Sequence, residues 1–226
     1  MRGYAAADAS VDERAAFIMK TYAHLVGAVF AFVGIEVGIF LTGLDEVIAN
    51  ITLSVPWLLV LGLFIGVSWL ANRWAMNATS PGMAYAGLGL YVVAEAIIFV
   101  PMLYIAVHYS SPDVLPTAAL TTLVLFGGLT GIVFITRKDF SFLKGILGVA
   151  MLGAVALIIC SAIFGFSLGV LFSAAMVVLA GGYVLFYTSI VLHHYRTDQH
   201  VAASLALFAS IALLFWYVLQ IFMSRR

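Results

Sequence analysis

The sequence predicts an all-α membrane protein, folded as a seven-transmembrane helical bundle. Three observations predict it. The 226 residues are 65% apolar and only 9% charged, with a mean hydropathy of +1.17. A water-soluble domain carries about 45–50% apolar and about 25% charged residues, because its surface must stay hydrated. Apolar runs recur along the whole chain, each near the roughly 20 residues that a helix needs to cross a bilayer core. Finally, the basic residues fall almost entirely on one side of the chain that those runs imply.

The runs place spans at 22–42, 55–71, 83–107, 115–136, 142–161, 166–193 and 201–223. Between them stand polar breaks rich in turn formers: Gly43 to Glu46, Asn72-Arg73, Asn77 to Gly82, Ser110 to Asp113 and Arg196 to Asp198. The fifth and sixth spans are separated only by the apolar segment from Ser161 to Ser167, which reads as a tight turn at the membrane interface. Ahead of the first span, residues 1–19 carry Asp8, Asp12 and Glu13 and no small-residue cleavage pattern, unlike a signal peptide. They read as a cytoplasmic N-terminal tail or an interfacial helix over 11–20. The remainder, 20–226, reads as a single seven-span domain.

Alternating the loops puts Arg2, Arg14, Lys20, Arg73, Arg137, Lys138, Lys144 and Arg196 on one side, leaving only Arg225 and Arg226 for the other. Cytoplasmic loops concentrate Lys and Arg, so the N-terminus is expected in the cytoplasm and, with an odd span count, the C-terminus outside. The two terminal arginines disagree mildly; they either snorkel at the far interface or follow a span that turns back.

Composition also excludes function classes. Ten Lys and Arg balance ten Asp and Glu, so no basic surface exists for a nucleic acid. The single Cys160 excludes an intrachain disulfide and reads as a small packing residue. There is no nucleophile elbow, phosphate loop or dinucleotide fingerprint. Neither enzymatic activity nor a cofactor is expected; the lipid bilayer is the first partner.

Two acids lie deep in the spans: Glu95 near the centre of the third and Glu36 past the middle of the first. A charge at a helix centre costs about 2.5–3.5 kcal/mol even on lenient scales, so both should face the protein interior. Each reads either as a neutral acid bonded to a neighbouring hydroxyl or carbonyl, or as a proton or cation site, Glu95 being the deeper. Pro101 is expected to kink the third span and to free a carbonyl beside Glu95. His193 and His194 are adjacent and diverge by about 100° on a helix; with Asp198 and His200 they read as an interfacial cap, with a metal site or pH sensor as alternatives. His24 and His108 read as interface anchors. Glycine pairs four apart (Gly34/Gly38, Gly62/Gly66, Gly127/Gly131, Gly165/Gly169) suggest close helix packing, within the bundle or between two copies.

The segment from Thr136 to Leu147, with Thr136, the basic pair Arg137 and Lys138, then Asp139, Phe140 and Ser141, resembles the Bax inhibitor-1/YccA-like family of seven-span proteins. A second similar stretch runs from Gly182 to His193 and continues at Ser204-Leu205. The resemblance implies a bundle whose seventh helix is central and wrapped by the other six. It implies a pH-sensitive calcium or cation leak in some lineages, cell-death suppression in eukaryotes, and, in the bacterial branch, to which the wording here is most similar, modulation of a membrane-bound AAA protease and a setting in the bacterial plasma (inner) membrane. In leak-forming members two acids on spans six and seven share a proton and gate the pore. Here those positions align with Tyr187 and Phe208. A phenol of pKa about 10 does not switch near neutral pH, so any acid-dependent function is expected at Glu95 or Glu36.

Overall fold

A computed structural model describes residues 4–77 and 80–224. Arg2, Arg225 and Arg226, used in the charge asymmetry, and part of the 77–82 break lie outside the described residues. The described chain is all helical: α1 (Val11–Leu41), α2 (Leu44–Ser54), α3 (Trp57–Ala75), α4 (Pro81–Tyr109), α5 (Val114–Thr136), α6 (Leu143–Phe164), α7 (Gly169–His193) and α8 (His200–Met223). All except α2 are long and apolar enough to cross a membrane. These seven correspond in order to the seven apolar runs. The chain is therefore a multi-pass helical membrane protein. Its outward surfaces carry large apolar side chains such as Phe30, 72% exposed, Leu152, 72%, and Leu171, 85%, which water would not tolerate and acyl tails do.

Local chemistry sets the ends. Ser10 and Glu13 form a reciprocal capping box, each side chain bonding the other's backbone N–H. The helix they start runs unbroken into the first span. At 31 residues it is about 46 Å long, well beyond a hydrocarbon core of about 30 Å, so the stretch bearing Asp12, Glu13 and Arg14 extends past the lipid tails. The sequence places a turn at Gly43 to Glu46 and assigns no element to residues 47–54, where α2 stands. Gly43 adopts the left-handed conformation, and Asp45 and Glu46 then sit in the first turn of a helix, where its dipole favours acids. Eleven residues reach only about 16 Å. α2 packs on α1 and α3 and buries Asp45 and Ala49, one turn apart. α3 runs four residues past the expected end at Ala71, because Asn72 and Arg73 are accommodated within the helix. The turn before α7 is made by Gly165 at φ 72°, and α7 starts at Gly169.

The described residues fall into two compact units, one within Met1–Tyr104 and Val191–Phe208, the other within Ile105–Ile190 and Ala209–Arg226. In the first, backbone pairing ties the N-terminal segment to the loop before α8: the Ala6 N–H donates to the Tyr195 carbonyl at 2.8 Å and the Thr197 N–H to Tyr4 at 3.0 Å. In the second, Leu147, Ala154, Met176, Leu179, Phe186 and Tyr217 form a buried cluster. Burial is concentrated in the third and seventh spans: 61% of the apolar stretch of α4 and 56% of that of α8 is buried, against 17% in α1 and 11% in α3 and α6.

Within the described chain, the glycine pairs make no close helix contact. A methyl built on Gly34, Gly38, Gly62, Gly66, Gly127 or Gly131 meets no atom within 4 Å. The tightest approach to backbone is at Gly87 instead, where a Cβ would stand 2.5 Å from the Ala71 carbonyl oxygen and 2.6 Å from the Ala75 nitrogen. Spacing fixes which helix face a glycine shares, not whether a helix lies opposite. Cys160, expected to pack inside, is exposed on α6.

Candidate functional site

Glu95 is only 5% exposed. Its position on α4 turns it away from lipid, and the Tyr91 hydroxyl, one turn earlier on the same helix, hydrogen-bonds its carboxyl. Aromatic rings close around that phenol. Phe208 of α8 lies edge-on to Tyr91 with centroids 6.1 Å apart, and Phe64 of α3 is at 6.2 Å. Phe32 of α1 meets Phe208 at 6.1 Å and Phe99 at 5.2 Å. Such edge-to-face contacts hold rings in fixed orientations. The acid therefore sits in an apolar surround contributed by several helices, and Phe208, 2% exposed, presses on the acid's own partner. Pro101 is accommodated inside α4; lacking an N–H, it leaves the Ile97 carbonyl, two residues beyond Glu95, without its usual helical donor.

Glu36 lies on α1 one turn beyond Phe32. It is 7% exposed, and neither carboxyl oxygen has a hydrogen-bond partner among the described residues. An ionised carboxylate in that position would be strongly disfavoured. The site must hold a neutral acid or receive a cation.

The motif residues between α5 and α6 behave differently. Arg137 ends α5 in the left-handed conformation at φ 52°. Lys138 and Arg137 are exposed. The Asp139 carboxylate accepts the Ser141 N–H at 2.8 Å, closing a local turn. Ser189 of α7, fully buried, accepts the Phe140 N–H at 2.8 Å and can donate to Asp139 at 3.3 Å or to the Lys138 carbonyl at 3.4 Å. The segment is thus latched onto α7 through one serine. Two residues before that serine, Tyr187 stacks on Tyr183 at 5.9 Å and lies against Phe186 at 5.0 Å. The structure gathers Arg137 to Ser141 around Ser189, and Phe208 around Tyr91 and Glu95.

Sequence reasoning missed one cluster. His24 donates from Nδ1 to the Lys20 carbonyl at 2.7 Å, since a carbonyl only accepts, and its Nε2 then accepts the Tyr85 hydroxyl at 3.0 Å in the neutral ring. The His200 ring lies 5.0 Å from His24 and 6.5 Å from Tyr85. The three come from α1, α4 and α8, and each alone reads as an interface residue. His193 and His194 stand 6.2 Å apart. Among the described residues, no group of three His, Cys, Asp or Glu could hold a metal ion.

A family model described as inhibitor of apoptosis-promoting Bax1 matches residues 14–226. The chain belongs to the Bax inhibitor-1 family. Bax inhibitor 1 of Schizosaccharomyces pombe is 30% identical over 220 residues, spanning 95% of this chain and 79% of that protein. An uncharacterized protein of Pseudomonas aeruginosa is 28% identical over 162 residues, 70% of this chain and 68% of that one. Membership of the Bax inhibitor-1 family thus extends over α1 to α4, where the sequence offered only a span count. Within that family resemblance, the two positions at which acids were implied are a half-buried phenol, Tyr187, and a buried phenyl ring, Phe208.

Proposed function

We propose that this Bax inhibitor-1 family member forms a calcium or proton leak pathway across the membrane, with Glu95 as its mid-membrane site and Glu36 as a second acid on the route. The observation that carries the reading is the Glu95 carboxyl, buried within a lipid-spanning helix and bonded by Tyr91. An acid retained at such a cost is by default a functional group. The expected orientation has the N-terminus in the cytoplasm of a bacterial cell, in its plasma membrane, in keeping with the bias of basic residues. No catalytic chemistry is assigned to it. Protein reconstituted in liposomes should pass calcium or protons, and Glu95→Gln should reduce that flux at least about tenfold; equal flux from both overturns the reading.

A second reading rests on Tyr187 and Phe208, which replace the implied acid pair with groups that do not ionise near neutral pH. In it the protein transports nothing and modulates a membrane-bound AAA protease by lateral helix contact. It predicts co-purification with such a protease, unaffected when Glu36 and Glu95 are both converted to amides.

A further inference from the structure

α1 and α4 leave a trench between them. On α1 its wall is Ala23, Gly27 and Ala31, four residues apart, ending at Ile35; α4 contributes Leu88, Gly89 and Val92. Its volume is about 460 Å³, and its lining is apolar except at one end, where His24 and Tyr85 meet. A methyl built on Gly27 or Gly89 touches nothing within 4 Å, so these glycines border open space. From Ala23 to Ile35 a helix rises about 18 Å. A leaflet's hydrocarbon depth is about 15 Å, half the bilayer core. A helix segment of that length and about 10 Å diameter fills about 1,400 Å³, about three times the about 460 Å³ of the trench. The trench is long enough for one acyl chain and too small for a further helix.

Its polar end matches the other half of a lipid. Lys20 lies one turn before His24, exposed at the mouth, and the His200 ring stands beside His24 with centroids 5.0 Å apart. The nearby acid, Asp198, is engaged by Arg196. Basic pockets between transmembrane helices at headgroup depth attract anionic lipids.

We propose that the α1–α4 trench binds one acyl chain of an anionic phospholipid, with the phosphate held by Lys20 and His200. The full chain is reconstituted in vesicles of phosphatidylglycerol mixed with phosphatidylcholine, extracted in mild detergent, and weighed by native mass spectrometry. Wild type should retain one phosphatidylglycerol. Gly27→Leu or Gly89→Leu, whose side chains start from a Cβ in open space, should lose it. Gly34→Leu, equally open but outside the trench, should keep it. Lys20→Ala should lower retention of phosphatidylglycerol over phosphatidylcholine about fivefold. Thermal unfolding of each variant confirms that it is folded. Equal retention by all variants overturns the proposal, as does loss in Gly34→Leu. So does a wild-type dimer that Gly27→Leu dissociates, which would make a second copy the occupant.

Discussion

Two acids in this chain meet opposite environments. Asp139 lies in an exposed loop, yet its carboxylate is satisfied by the Ser141 N–H and lies within reach of the Ser189 hydroxyl. Glu95 is buried in a spanning helix and bonded by a phenol wedged among other rings. The first needs no burial to be held, because backbone and hydroxyl donors surround it. The second is held at the expense of desolvation, and nothing about helix formation requires it there. An acid that satisfies the backbone is structural; an acid that packing must accommodate is the better candidate for traffic across the membrane.

The contrast makes separable predictions. The largest effect should come from Glu95→Gln, which removes the ionisable group at constant shape: flux in liposomes falls at least about tenfold while the unfolding midpoint stays put or rises. A variant that loses stability but not flux would place Glu95 with Asp139. Next is Ser189→Ala. It leaves the half-buried Phe140 N–H without its acceptor, so stability should drop by about 1–3 kcal/mol with flux per folded molecule unchanged; denaturation monitored by tryptophan fluorescence reads the first and the liposome assay the second. Tyr91→Phe sharpens the comparison from the other side. It removes the phenol's bond but keeps the ring against Phe208, and should alter flux about fivefold, the equivalent of about 1 kcal/mol for one hydrogen bond. The smallest effect is a packing control: Gly38→Ala, open around its Cα, should stabilise by up to about 1 kcal/mol through helix propensity. Gly87→Ala, with backbone atoms closer than 3 Å to the new methyl, should destabilise by about 1–3 kcal/mol.

Much of the fold could be read before any coordinates. Apolar run length marks spans because lipid removes the need for amphipathic alternation. The same criterion hid α2. Its eleven residues include Asp45, Glu46 and Asn50, so neither run length nor composition rose above its turn signals. Glu95 was visible as an acid in an apolar run, and Tyr91 was reachable by the one-turn rule. Gly87 was not, since no small residue stands four positions after it and the tight contact comes from α3. The His24, Tyr85 and His200 cluster depends on three helices meeting, which no local pattern encodes.

The pairing of residues 4–6 with the connection between α7 and α8 makes the start of the chain a strain gauge for the seventh span. If α8 slides or turns during a working cycle, the Ala6 amide loses its Tyr195 acceptor, and its proton becomes free to swap with deuterium in solvent. Deuterium uptake at that amide, followed while the ionic conditions change, would time the movement without a label.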